Sequence, residues 1–368
     1  IPIIALTQNP KHPFCKTRLV ERIIETELRS QVLIETLCEL GPTLGRKAVL
    51  FPCQDASVLL VSRHRERLKQ WYEISLPDPD VVEMLGNKDR FYAFAMEHDF
   101  PLPRTFFIDN EQEALDASEQ LQFPCVIKPP LSTAGEWKKY CKGKKVIDVE
   151  DRETFLEQYR ICREWVDRLI VQEWIPGDES HLYSCNGYFS PESKPLATFV
   201  ARKLRQWPPD IGESCLGEEC RNDEVRDITV RVFEAAKLKG LGYLELKQDA
   251  RNGKHYIVEP NIGRPTGRGP ISEAGGVELL YTMYCECLGL PLPENRVQQY
   301  RGTKWIYLRR DVKAALYRWR RGELTLKQWW ESWRGQKAYA IFSRHDMKPF
   351  FADFAIRRKK KPSSGLRG

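Results

Sequence analysis

GLGYLELKQDARNGKHYIVEPNIGR, residues 240–264, reads as two apolar strands joined by a turn. A glutamate stands in each strand, Glu245 and Glu259, and Asn261 follows two places after the second. The RNG run predicts a three-residue hairpin loop with Gly253 in the left-handed conformation. Ala250 then pairs with Lys254, Lys247 with Ile257, Glu245 with Glu259, and Tyr243 with Asn261. A two-residue Asn-Gly turn would shift the register and separate the acids. Directly opposed carboxylates cost a strand pair roughly 0.2–1 kcal/mol, and a cation reverses that sign. Two carboxylates and an amide oxygen are hard donors that suit Mg²⁺ held together with substrate phosphates. Pairing of one glutamate with Lys247 or Arg264 at the sheet surface explains the hairpin equally well.

Basic residues elsewhere bear on that choice. FPCVIKPP is a short buried strand ending on Lys128, so its ammonium is directed by the strand. The small-residue loop LSTAGEW after it could lie over phosphates through backbone N–H groups. Asn87 is placed to cap the helix begun by KDRFYAFAMEH. Lys88 opens that helix, where the helix dipole disfavours a cation. A nearby phosphate or simple solvation would account for it. VQEWIPGDES has the form of a hinge between two lobes, with backbone groups at a strand end and acids just beyond. KPLATFVARKLRQWPPDIG reads as a strand that turns polar and is broken by Pro208 and Pro209. Its basic run before the break, with Arg202, Lys203 and Arg205, is read as a loop that could meet a transferred phosphoryl group or an anionic substrate.

In this order, NKDRFY, FPLPRT, FPCVIKPP, VQEWIPGDE, GYLELK and VEPN resemble the ATP-grasp superfamily, and within it the carboxylate–amine ligase-like proteins. The resemblance runs from about Pro79 to Pro293. It implies an α/β ATP-grasp fold, two α+β lobes clasping ATP. It also implies that Lys88 and Lys128 contact the nucleotide phosphates. Gln172 and the backbone of Glu173 and Ile175 would hold adenine, and Glu179 the ribose. Glu245, Glu259 and Asn261 would bind Mg²⁺, with Mn²⁺ as a substitute. Many relatives read Asn-Pro-Arg after the metal-binding glutamate. Here the run is NIGR, so Arg264, the candidate stabiliser of an acyl phosphate, lies one place later.

The domain organisation expected from this reading has four parts. Residues 1–86 form a β/α pre-grasp domain, Rossmann-like and incomplete, with a first β–α unit expected upstream. IPIIALTQ reads as its first strand, and Leu19–Leu40 has helical spacing. Residues 87–170 form the N-terminal lobe and 171–298 the C-terminal lobe with the metal site. Residues 299–368 form a helical extension dense in Trp and Arg, read as a docked helical pair, with membrane-surface contact as the sharper alternative.

The 368 residues carry 58 basic and 51 acidic side chains, a net charge of +7. The tail RRKKKPSSGLRG contributes to that excess and reads as a solvated end. No RNA-binding signature or zinc-finger spacing is present, so no nucleic-acid partner is expected. No apolar run reaches the roughly 18 residues of a membrane span. IPIIAL lacks the basic flank and cleavage site of a signal peptide. Eleven cysteines without a C-x-x-C pair predict a reducing, cytoplasmic setting.

The activity implied is an ADP-forming ligase joining a small-molecule carboxylate to an amine through an acyl phosphate. The alternatives are an ATP-grasp kinase acting on a hydroxyl and a non-catalytic nucleotide-binding protein. Which acid and which amine are joined is not written in any residue.

Overall fold

The computed structural model describes residues 1–130, 137, 140–141, 146–209, 212–267 and 269–355. The loop expected over phosphates and the basic tail lie outside these residues, apart from Trp137, which is buried.

The chain opens with β/α alternation. Strand β1 (Ile4–Thr7) pairs in parallel with β2 (Arg22–Glu25), and α1 (Val32–Leu40) follows. Strand β3 (Ala48–Val49) leads through α2 (Asp55–Arg63) and α3 (Arg65–Leu68) to β4 (Tyr72–Glu73), again parallel. These are two separate two-stranded sheets rather than one open sheet. The helix expected over Leu19–Leu40 is confined to its second half. Ile23 and Ile24 are β-branched and favour the strand. Only Val32–Leu40 buries a helical face, through Leu33, Ile34, Leu37 and Leu40.

Helices α4 (Pro79–Gly86) and α5 (Lys88–Glu97) connect this segment to a small lobe. The Asn87 side chain caps α5 by accepting from Asp89 N at 2.9 Å. The small lobe contains β5 (Thr105–Ile108), α6 (Glu111–Gln120), β6 (Cys125–Lys128), β7 (Ile147–Val149), α7 (Arg152–Arg163) and β8 (Leu169–Glu173). Its antiparallel sheet runs β5-β8-β6-β7. Gln172 on β8 pairs with Thr105 and Val126, so the lobe extends past residue 170 to the end of that strand. One face of its sheet packs on Ile108, Ile127, Phe155, Leu169 and Val171, and the other turns Phe107 and Ile170 to the core of the large sheet.

The large sheet carries the rest. It contains β9 (Leu182–Phe189), β10 (Pro195–Trp207) and β11 (Glu213–Glu219); then, after α8 (Asp223–Ala235), β12 (Gly240–Gln248) and β13 (His255–Ile262). Helices α9 (Pro270–Ala274) and α10 (Leu279–Cys287) precede β14 (Lys304–Ile306). Helices α11 (Leu308–Arg320) and α12 (Leu326–Ser332), strand β15 (Lys337–Tyr339) and α13 (Lys348–Phe354) complete the described chain. The strand order is β13-β12-β9-β10-β11-β14-β15. The C-terminal extension therefore supplies two strands to the main sheet as well as helices.

Alternation sends successive side chains to opposite faces. Cys185, Phe189, Val200, Leu244 and Leu246 pack on one face with α1, α2 and α8. Tyr188, Phe199, Ala201 and Leu241 pack on the other with Ile271, Met283 and Trp305. Gly240, at φ +96°, opens β12 where a Cβ would lie 2.1 Å from the Ser75 carbonyl oxygen. That close approach seats the hairpin against the segment after β4.

Candidate active site

The hairpin brings Glu245 opposite Glu259 and Tyr243 opposite Asn261. It reaches that register by a different route from the one expected. Asp249 N donates to the Lys254 carbonyl at 2.8 Å, so the loop is the four residues Ala250–Gly253, with Gly253 at φ +75°. Lys247 accordingly pairs with Tyr256, not Ile257. A bulge between these pairs and Glu245–Glu259 then restores the register. The extra loop residue and the bulge at Val258 offset each other.

The carboxylates are met by cations. Lys88 Nζ lies 3.1 Å from Glu259 Oε2, and Lys203 Nζ 3.7 Å from Glu245 Oε1. This accounts for a lysine at a helix N-terminus: its ammonium reaches across to β13. Burial alone would lower the Lys88 pKa, but Glu259, Tyr92 and Asp55 together raise it. Arg264 donates to Asn261 Oδ1 and also to Asp55. Arg264 also lines a small recess with Asn186, Tyr243, Thr266, Leu279 and Leu280, with room for about one water.

Lys128 is fully buried at the end of β6. Its ammonium donates to Gln172 Oε1 at 2.6 Å and to Tyr92 Oη at 3.1 Å. Tyr92 in turn donates to the carbonyl of Val258, the bulge residue, at 2.9 Å. One tyrosine from α5 thus ties the small-lobe lysine to the hairpin beside Glu259. Burial, followed by repulsion from Lys88, lowers the Lys128 pKa to about 7. Sequence reasoning passed over Tyr92, because an aromatic on an amphipathic helix reads as core.

The residues expected around adenine are spread between sheet and loop. Gln172 is engaged by Lys128 and donates to Thr105 Oγ1 at 2.8 Å. Glu173 N donates to the Arg104 carbonyl, and its side chain accepts from Gln122 N. Ile175 follows β8, with no regular structure. Glu179 is buried and paired with Arg318 of α11. Burial raises its pKa while Arg318 opposes that rise.

ARKLRQ is not a loop but the interior of β10. Alternation turns Arg202 away from Lys203, and a register shift lies between Lys203 and Arg205, which have different partners. Arg202 donates to Glu218 at 2.6 Å. Lys203 reaches Glu245 and also donates to Gln206 at 3.1 Å. Arg205 is buried and donates to Asp311 Oδ1 at 2.8 Å and Oδ2 at 3.2 Å. Of the three, Lys203 is the one placed at the paired acids. The Arg205 and Glu179 contacts come from the C-terminal extension, whose partners lie 106 and 139 residues away in sequence. No local signal could have found them.

The chain resembles a D-aspartate ligase of Enterococcus faecium (strain Aus0004), with 26% identity over 245 residues, 64% of this chain and 58% of the relative. Among solved structures it resembles the biotin carboxylase domain of a Hydrogenobacter thermophilus 2-oxoglutarate carboxylase, solved with MgADP, ADP and bicarbonate. The TM-score is 0.61 at 12% identity, over 80% of this chain and 66% of that one. An L-amino acid ligase from Bacillus licheniformis aligns with a TM-score of 0.55 at 14% identity, over 78% of this chain and 74% of that one. The chain has the ATP-grasp fold. No protein-family model matches it. It spans little more than half the length of the D-aspartate ligase.

In this ATP-grasp chain the donor set suits a hard cation bound with phosphates. No cluster of three or more His, Cys, Asp and Glu side chains placed for a metal occurs among the described residues. Two carboxylates and an amide are what Mg²⁺ takes when substrate phosphates and water complete its shell. Lys88, Lys203 and Arg264 sit on those same three side chains, which marks a place where positive charge is needed.

Proposed function

We propose that this protein is an ATP-dependent carboxylate–amine ligase that forms an amide or peptide-like bond and releases ADP. The observation that carries the reading is Glu245 paired with Glu259 beside Asn261, with Lys88 and Lys128 joined to the same hairpin through Glu259 and Tyr92. The resemblance to proteins named D-aspartate ligase and L-amino acid ligase supports amide formation, and the MgADP-bound relative supports the nucleotide and metal.

A substrate carboxylate oxygen bonds to the γ-phosphorus of ATP, and the bond to ADP breaks. An amine nitrogen then bonds to the acyl carbon, phosphate leaves, and the amine proton goes to solvent. Glu245, Glu259 and Asn261 would hold Mg²⁺, or Mn²⁺ in its place, which supplies neutralisation of phosphate charge. Lys128 and Lys88 hold phosphate oxygens. Lys203, between Glu245 and the sheet, faces the developing charge. Gln172, the Glu173 and Ile175 backbone and Glu179 remain the candidates for the nucleoside. Arg264, bonded to Asn261, is the candidate stabiliser of the acyl phosphate. Catalysis is by positioning and charge neutralisation. None of the eleven cysteines is in a disulfide, which supports a reducing, cytoplasmic setting.

The test is ADP release screened against carboxylic acids, with hydroxylamine in place of the amine. The ligase reading expects acid-dependent ADP and a hydroxamate. A phosphorylated alcohol with no hydroxamate would place the protein among ATP-grasp kinases.

A further inference from the structure

The C-terminal extension differs in charge from the body it docks on. Residues 299–368 hold 19 Lys and Arg against five Asp and Glu, a net +14 in a chain of +7, so residues 1–298 carry −7. Most of the few acids are neutralised within the fold. Asp311 is buried against Arg205, and Asp353 pairs with Arg309 at 2.9 Å. Asp346 accepts from Thr17 Oγ1 at 2.6 Å, and Glu323 pairs with Arg321. Arg320, Lys327 and Arg334, by contrast, form no ion pair with a carboxylate among the described residues.

The same helices expose large apolar groups. Asp311 anchors both: the indole N–H groups of Trp329 and Trp333 donate to it at 3.0 and 2.8 Å. With Ala314 and Ala315 also buried, one side of α11 is turned to the sheet. On the helical repeat, Leu316, Trp319 and Arg320 fall away from that side. They are exposed, Leu316 at 40% and Trp319 at 51%. On α12, Trp329 is turned inward while Leu326 at 59% and Trp330 at 67% are exposed, next to Lys327.

We propose that the α11–α12 hairpin lies on the surface of an anionic lipid bilayer. Tryptophan and leucine suit the boundary between headgroups and acyl chains, while Arg and Lys reach anionic headgroups from the same helices. A nucleic acid would use the charges but gains little from exposed leucines. No described helix is long and apolar enough to cross a membrane, so the contact is with the surface. The inference rests on charge and exposure in the extension, independently of the ligase reading.

The test is flotation of the full chain with vesicles, either of phosphatidylcholine alone or of phosphatidylcholine and phosphatidylglycerol in equal parts. Binding is expected only to the anionic vesicles, falling with salt and accompanied by a blue shift of tryptophan emission. Each of Arg320→Ala, Lys327→Ala and Arg334→Ala should weaken binding about fivefold, the effect of one charge near such a surface. Trp319→Ala with Trp330→Ala should abolish the blue shift while leaving circular dichroism and Tm unchanged. Equal binding to both vesicle types, or none to either, overturns the proposal. So does binding lost on removal of residues 356–368 but untouched by the helix variants, or tighter binding to duplex DNA than to anionic vesicles.

Discussion

Lys128 holds an ammonium where burial resists charge, with Gln172 and Tyr92 as its neutral partners. Its folded pKa of about 7 lies below the ordinary 10.5, through burial first and Lys88 second. Between those values the unfolded chain binds the extra proton, so Lys128 makes stability rise with pH across that window. Below about pH 7 the cost of the buried charge is present in full. A phosphate brought to Lys128 favours the ammonium. Nucleotide binding above pH 7 should therefore take up a proton, seen as a binding enthalpy that varies with buffer ionisation enthalpy. Lys128→Met should remove that dependence; its persistence would place the proton elsewhere. Glu259 poses a simpler question. Glu259→Gln should abolish Mg²⁺-dependent turnover yet change stability by no more than about 1 kcal/mol, because its pair with Lys88 is partly exposed. Retained turnover in both Glu259→Gln and Glu245→Gln would refute the metal site. The opposed acids were expected to repel in the free protein, but Lys88 and Lys203 relieve that repulsion, so neither substitution should be stabilising.

At the scale of elements, the hairpin register was legible because the acids alternate in phase with their strands. The loop is one residue longer than RNG suggested, and the bulge at Val258 was invisible, since nothing local distinguishes Val258 from its neighbours. The facing of Glu245 and Glu259 was thus anticipated through two compensating differences. Strand β10 was expected, but its basic run was taken for a loop for a related reason. Charged residues in ARKLRQ imitate a loop unless their partners are known, and those partners stand on β11, β12 and α11. Arg205 and Asp311 are the sharpest case. Removing one member of a buried pair leaves the other uncompensated, at about 3–5 kcal/mol. Arg205→Met should cost that much by urea denaturation, and Asp311→Leu at least as much, because Trp329 and Trp333 also lose their acceptor. The double variant should fall well short of the sum of the two. Wild-type stability in Arg205→Met would mean that the extension is held by its strands and by its other contacts, such as Arg318 with Glu179.

Across the whole molecule, the order of motifs predicted the ATP-grasp architecture, while the distribution of its cores could not be read from the chain. One core joins α1 and α2 to α4, α5, α8 and the large sheet and takes in Ile170 of the small lobe, whereas the lobe's other face packs on residues between Ile108 and Val171. The two are joined by the packing of Ile170 and Phe107, by Lys128 to Tyr92, by Arg168 to Asp89 at 3.2 Å, and by the Ile257 N–H to the Pro101 carbonyl at 2.8 Å. Two clusters that share only one face of the small sheet can still open as separate cooperative units. Hydrogen exchange should therefore show residues 105–173 opening together and more often than the large sheet. The first parallel strand pairs should not behave alike: α1 and α2 share the large-sheet core and should be protected with it. ATP with Mg²⁺, bound by Lys128 on one side and by Glu245 and Glu259 on the other, favours only the closed arrangement of both lobes. It should slow exchange in β6 and β8 as strongly as in β12 and β13, by the mass action that stabilises any state that binds ligand. Slowing confined to the large sheet would mean that the nucleotide does not reach Lys128. Simultaneous opening of both lobes without ligand would show that the packing of Ile170 and Phe107 couples them into one unit.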